Sequence, residues 1–353
     1  MTAELTWRTR RYQPGDEHDL LALFNRTFSK QRSLEHWRWQ FEHNPYAPPT
    51  MIVARRESDD LLAGSHVIMP IALNTSGTRV LAGHTLDLVV HEDFRRQGLF
   101  ETTARECFAW CLERGMRAVI AFPNAQSYPG FVRSLEWSRI LDPQRWDMRT
   151  GLKGVLGDAA WARALVWAPD LAWRLLTTAR LGGHGTACSE WRRTVPDDHD
   201  MLWAECAPEF KLSLWKDREY LAWRYDRNPD HEFEYATLRE GARLRAVAVV
   251  LREAGRTLIC ELLCPRTAGP ELGRGLVRTV CERALRRGDD RVSFLGHDNG
   301  YFASCFAGFQ TRSAPEMRSS MKPYSSALVA RSAVQRDTAS GWMARSASKV
   351  TAV

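Results

Sequence analysis

The sequence predicts an α+β fold in two domains, each a mixed, mostly antiparallel sheet flanked by helices. Three observations predict it. The 353 residues suffice for two domains of ordinary size. The order helix, hairpin, strand, helix, strand, helix runs once before residue 150 and again after residue 201. And one phrase occurs twice: "HWRWQFEHNP", His36 to Pro45, returns 184 residues later as "YLAWRYDRNP", Tyr220 to Pro229. Trp39 then meets Trp223, Phe41 meets Tyr225, Glu42 meets Asp226, and Asn44-Pro45 meets Asn228-Pro229.

After Pro14-Gly15, "DEHDLLALFNRTFS" places Leu20, Leu21, Phe24 and Phe28 at helical spacing, with acidic residues at the start where the helix dipole favours them. The tryptophan phrase is a second helical segment, stopped at Asn44-Pro45 because the residue before proline resists helical geometry. "TMIVARRE" and "LLAGSHVIMPIALN" are apolar β-type runs joined by a polar turn, and "HTLDLVV" is a third strand. "ETTARECFAWCLERG" is a helix ending at Gly115, "RAVIAFPN" a strand, and "SYPGFVRSLEW" a short helix or turn. Residues 151–200 carry a tryptophan-rich helical stretch and then "HGTACSEWRRTVPDDHD", which looks like connector, so this region is a connector or a lid. From 201 to 325 the first order of elements returns. Residues 326–353 are small, polar and aperiodic, the composition of a loosely held tail.

The composition is that of a globular protein, 44% hydrophobic and 26% charged. A net charge of +7 is spread along the chain, which favours anionic ligands without the clustered basic face that nucleic acid requires. The eight cysteines form no paired C-x-x-C pattern; reduced, buried thiols are expected and a metal is not. "MTAELTWRTRRYQPG" has no apolar signal segment, and runs such as "HVIMPIAL" are far too short for a bilayer. A soluble cytoplasmic protein without a membrane partner is the expectation.

The chemistry is concentrated in "LDLVVHEDFRRQGLFETTARECF", Leu86 to Phe108. A strand runs into the turn Arg95-Arg96-Gln97-Gly98-Leu99-Phe100 and then directly into a helix. Unpaired N–H groups and the positive end of the helix dipole converge there, Gly98 lets backbone approach a phosphate, and the arginines add charge. The alternative is a plain strand–turn–helix with solvated arginines.

These residues resemble the phosphate loop of the GNAT superfamily of acyl-CoA-dependent N-acyltransferases: arginine or glutamine, two residues, glycine, one residue, glycine or alanine, after a strand ending in apolar residues such as Val89-Val90. Phe100 departs from the small final residue. "AFPNAQS" is similar to the family's next strand and loop, which places Asn124, with Ser127 beside it, on the cofactor arm. "SLEW" and, in the second half, "AGF" at Ala307–Phe309 stand where the family has Leu-Gly-Phe. The resemblance implies two GNAT-like domains, the first with an acyl-CoA site, and acetyl-CoA or a longer acyl-CoA as substrate. The pantetheine arm would enter between "HTLDLVV" and "RAVIAFPN", bonded by backbone at Leu88, Val89 and Val90. An N–H near Leu88 would polarise the thioester carbonyl.

For proton transfer, His84 lies eleven residues before Arg95, where histone-type members carry a glutamate base. Asp87 faces the opposite side from His84 by strand alternation, as a structural residue or, if the strand bulges, a substrate contact. Tyr128 is the nearby candidate to protonate the leaving thiolate, although the family's register falls at Phe131 or Val132. In "PRTAGPELGRGL", Pro270 removes an N–H and Glu271 adds negative charge, so the second copy is expected not to hold coenzyme A. The expected reaction is acyl transfer to the amine of a small acceptor, an amino sugar or an amine-bearing or glycosylated secondary metabolite. The alternatives are an aminoacyl-tRNA-dependent Fem-like ligase and a non-catalytic binding module.

Overall fold

The computed structural model describes residues 6–29, 31–123, 128–135, 137–139, 144–151, 170–173, 176, 188–296, 300–313 and 331–333. Its strands form two sheets. The first contains β1 (Trp7–Arg11), β2 (Thr50–Arg56), β3 (Leu62–Thr75), β4 (Thr78–Val90), β5 (Val119–Ala121) and β6 (Ser138–Arg139). The second contains β7 (Gln144–Arg149), β8 (Cys188–Arg192), β10 (Phe233–Glu240), β11 (Arg243–Glu253), β12 (Arg256–Leu263), β13 (Arg291–Gly296) and β14 (Gln310–Ser313). Two short strands complete the first sheet: β9 (Ser213–Leu214) pairs with β3, and β15 (Arg331–Ala333) lies between β5 and β6.

The two strand orders run in step: β1-β2-β3-β4-β5-β15-β6 in one, β8-β10-β11-β12-β13-β7-β14 in the other. Each has one parallel pair at the same place, β4 with β5 and β12 with β13. The sheets do not divide where the sequence reading divides the chain. β7 lies before residue 150 yet pairs with β13 and β14, while β15, from the segment expected to be a tail, pairs with β5 and β6. "CSEWR", expected to be connector, is the edge strand β8. It shows no apolar alternation because an edge strand takes its order from its neighbour's backbone rather than from a buried face.

In the first half, α1 (Glu17–Phe28) buries Leu20, Leu21 and Leu23, and α2 (Leu34–Phe41) starts from Ser33, whose hydroxyl accepts from the His36 N–H at 3.0 Å. α3 (Leu99–Glu113) packs on the other face of the sheet, setting Cys107 and Cys111 against Ile52 and Ile68. The second half contributes α4 (His199–Cys206), the short α5 (Arg218–Leu221) running into a wide turn at Ala222–Asp226, α6 (Pro270–Arg287) and α7 (Tyr301–Cys305).

The repeated phrase is where the halves meet. Trp39 and Trp223, 4% and 1% exposed, stack with ring centroids 5.5 Å apart, and each indole N–H donates to the other's backbone carbonyl, at 2.7 and 2.8 Å. Around this self-paired contact, His36 bonds Asp230 at 2.5 Å and, at the matching positions, Tyr220 stacks on Tyr46 at 6.5 Å. One apolar core runs through both halves, from Leu20 and Trp37 to Tyr225, Val249 and Cys260. The phrase therefore builds core and interface rather than a stacking platform for a ligand.

His66 and His199 are fully buried, and burial lowers both imidazoles below their ordinary range, His66 to about 3. The unfolded chain then binds more protons than the fold, so stability is complete above about pH 6.5 and is lost as pH falls toward the folded-state values. We expect the urea midpoint to fall steadily from pH 7 to pH 5; a flat midpoint over that span contradicts these buried neutral rings.

Candidate active site

β4 begins as an ordinary strand and ends as a site. Gly83, His84 and Thr85 match Val119, Ile120 and Ala121 of β5, and there the parallel pairing stops. From Leu86 to Val90 the strand keeps β3 on one side and has no β5 partner among the described residues. At the same place the β3 register slips: Val67 faces Leu86 but Ser65 faces Val89, so Asp87 and Leu88 stand opposite His66 alone. This is a β-bulge, a device that re-aims side chains beside functional sites. Asp87 takes the left-handed conformation, φ 51°, which few residues other than glycine adopt.

The bulge changes the expected alternation. Asp87 is turned to the face carrying α1 and α2, where it lines a small cleft with Phe24, Arg32, Trp37, Ser65 and Val89. Its carboxylate is held by Arg32, whose Nη2 lies 3.1 Å from Oδ1 while Nη1 bonds the other oxygen. His84 lies toward the second half. Its ring meets Phe122 edge-on at 5.1 Å, and burial, with the Arg224 charge added, lowers its pKa to about 4. Its imidazole is therefore neutral at neutral pH, with a lone pair free but a weaker base than an exposed histidine.

Beyond Val90 the chain makes a 3₁₀ turn, Glu92–Phe94, anchored by the fully buried Phe94. Arg96 at φ 64° and Gly98 at φ 79° then fold the backbone into the start of α3. Gln97 closes the turn by donating from Nε2 to the Asp93 carbonyl at 3.0 Å. Arg95, Arg96, Gln97 and Gly98 are exposed, and neither arginine makes an ion pair among the described residues. A Cβ on Gly98 would meet nothing within 4 Å, so the backbone here is open. The N–H groups of Leu99 and Phe100 stand in the first turn, where no earlier helical carbonyl accepts them. Leu99 seats this turn against the sheet, reaching so close to Gly64 that a Cβ there would lie 2.6 Å from it. Phe100 turns inward, edge-on to Phe131 at 5.6 Å and over Gly130, whose missing Cβ makes its room. The large side chain thus leaves the loop clear.

Of the other expected site residues, Leu88 packs toward the α3 face, Val89 is buried on the opposite face and Val90 packs against Phe94 and Leu99. Tyr128 is half-buried just before the wide turn Gly130–Ser134. Asn124 and Ser127 lie outside the described residues. Arg32 and Arg224 were not legible as site residues: Arg32 bonds Asp87 from 55 residues away and the Arg224 charge acts on His84 from 140 residues away, with no local signal.

The matching place in the second sheet is closed. β12 also bulges, between Val249 and Val250 of its neighbour, and also leaves β13 after Ile259. But the N–H groups of Arg266 and Thr267 before α6 donate to the Glu209 carboxylate, at 2.5 and 3.2 Å. α6 opens on Pro270. Tyr301 Oη lies 2.6 Å from Cys264 Sγ, and Gly273 yields its Cβ position to Cys305 Sγ at 2.4 Å. Among the described residues no group of His, Cys, Asp and Glu is arranged to hold a metal ion, and no helix is long and apolar enough to cross a membrane.

Residues 8–140 match the acetyltransferase (GNAT) domain. No curated protein matches the chain in sequence. Among solved structures, the chain is similar to a probable N-acyltransferase of Enterococcus faecalis V583, at 10% identity over 87% of this chain and 71% of that one, TM-score 0.63. It is similar to a GCN5-related N-acetyltransferase of Anabaena variabilis, at 11% identity over 88% and 70%, TM-score 0.61. It is also similar to Saccharomyces cerevisiae N-myristoyltransferase with bound myristoyl-CoA, at 12% identity over 89% and 86%, TM-score 0.54. The bulged strand, the opened strand pair and the glycine turn into α3 all fall within residues 8–140, the part of the chain that matches the acetyltransferase (GNAT) domain, and the chain shares the fold of these solved acyltransferases.

Proposed function

We propose that the chain is an N-acyltransferase that moves an acyl group from acyl-CoA to the amine of a small-molecule acceptor, within a ternary complex on the first sheet. The observation that carries this reading is the contrast between the halves. The first sheet has an open, arginine-flanked helix start beside a parted strand pair, while the second has the same parts filled by its own side chains. The second half is then a degenerate copy that shapes the acceptor side rather than a second catalytic unit. The N-myristoyltransferase with bound myristoyl-CoA supports an acyl-CoA donor. All eight cysteines are thiols, seven of them buried, which supports a reducing, cytoplasmic setting.

The residues of the loop, Arg95 to Phe100, would hold the pyrophosphate through backbone N–H groups and the guanidinium charges. The parted edge of β4, Leu88 to Val90, would bond the pantetheine arm. The amine nitrogen attacks the thioester carbonyl carbon, the C–S bond breaks, the amine proton passes to neutral His84, and the thiolate takes a proton from Tyr128 or water. An amino sugar or an amine-bearing secondary metabolite is the acceptor class we favour. A thiol-release assay pairing acetyl- and longer acyl-CoAs with such amines tests the reading; turnover supports it, and silence across the whole panel counts against it.

His84→Ala is expected to lower kcat about a hundredfold, the middle of the range for general bases, with acyl-CoA affinity unchanged. In the wild type, activity falls as pH drops through about 4, where the ring gains a proton. An unaltered rate in His84→Ala removes His84 as the base.

A further inference from the structure

We propose that Arg32 is a positioning residue for acyl transfer: through Asp87 it locks the bulge of β4 and so fixes the backbone at Leu88 beside the parted strands. Arg32 is itself held at three points. The Asn25 side chain donates from Nδ2 to the Arg32 carbonyl at 3.0 Å and accepts from the Arg32 N–H at 2.9 Å. The guanidinium lies over the Phe24 ring, 3.8 Å from its centroid. Its two terminal nitrogens then take both oxygens of Asp87, and the paired side chains are 15% and 14% exposed. α1 and the α1–α2 connection are in this way tied to one peptide of β4.

That peptide needs tying. Asp87 sits in a conformation that disfavours side chains, and only one residue separates it from Thr85, the last partner of β5. A strand that slipped back into regular register would turn Leu88, Val89 and Val90 to the wrong faces. An apolar contact would stabilise the fold as well as a mostly buried ion pair does, because desolvation offsets most of the Coulombic gain. What the fork of an arginine adds is direction: it fixes both carboxylate oxygens at once, which a lysine cannot. The effect on rate rests on the function proposed above; the effect on the strand does not.

Amide hydrogen exchange read by mass spectrometry on the wild type, Arg32→Lys and Arg32→Ala tests the inference. In Arg32→Ala, exchange across residues 86–90 is expected to rise about tenfold, with α3 and the second sheet unchanged, and Arg32→Lys should show most of the same rise. Turnover should fall about ten- to a hundredfold, more than acyl-CoA affinity falls, and guanidinium ion in solution should restore part of it in Arg32→Ala. Unchanged exchange at 86–90 in both variants overturns the inference, as does an equal rise throughout both sheets, or a loss carried wholly by weaker acyl-CoA binding. Should Arg32→Ala fail to fold, Arg32→Lys carries the same test.

Discussion

Gly98→Asp abolishes acyl-CoA binding while leaving the fold in place. Gly98 sits at φ 79°, so any side chain there bears the left-handed penalty of about 1–2 kcal/mol, yet its Cβ would meet no atom within 4 Å. The carboxylate therefore stands in open solvent at the mouth of the helix, where the pyrophosphate is proposed to lie and where the N–H groups of Leu99 and Phe100 point. It occupies those donors and repels the ligand. The dissociation constant for acyl-CoA should rise about a hundredfold or more, equivalent to about 2.7 kcal/mol. Gly98→Ala separates charge from strain: it should lose about the same stability as the Asp variant and keep affinity within about threefold. Calorimetry on both variants reads the difference, and equal affinity in wild type and Gly98→Asp would remove the loop from the site.

The largest loss of stability is expected at the paired tryptophans. Trp39→Ala or Trp223→Ala deletes a buried indole, at about 3–5 kcal/mol, and strands the partner's carbonyl without its donor. That is a large part of what holds an ordinary domain folded. Because the two rings share one contact, the double variant should lose less than the sum of the singles. The Trp39→Phe variant keeps most of the buried area and loses only the N–H, and should fall between. Since one core crosses both halves, wild-type denaturation followed by tryptophan fluorescence and by circular dichroism should give coincident curves. Two separated transitions would contradict a shared core.

The repeat and the loop were legible in the sequence for different reasons. The tryptophan phrase shows itself because both copies answer to the same contact, Trp39 on Trp223, and so keep the same residue types at 184 residues' distance. The turn at Arg95–Gly98 shows itself because a left-handed position before a helix calls for glycine, and charge at the helix start can be read locally. The strands β2, β3 and β11 carry long apolar runs and could be read; β1, β7 and β8 could not. Those are short or edge strands whose partners lie far along the chain, and a strand that crosses into the other sheet, as β7 does, leaves no mark on its own residues. The bulge at Asp87 was invisible for a related reason. Alternation places Asp87 opposite His84, and only the Arg32 side chain, brought from α1's end of the fold, selects the turned conformation instead. Phe100 looked like a departure from the phosphate loop; its resolution is Gly130, thirty residues on.

One half of this chain is proposed to bind acyl-CoA and the other not to. Calorimetric titration of the full chain with acetyl-CoA and longer acyl-CoAs, measuring stoichiometry as well as affinity, tests it most directly. One molecule should bind per chain, and none in Gly98→Asp. Two molecules per chain would mean that Glu209, Tyr301 and Cys305 do not close the second site, and no binding by any acyl-CoA would mean that the open turn at Arg95–Phe100 is not a coenzyme A cradle.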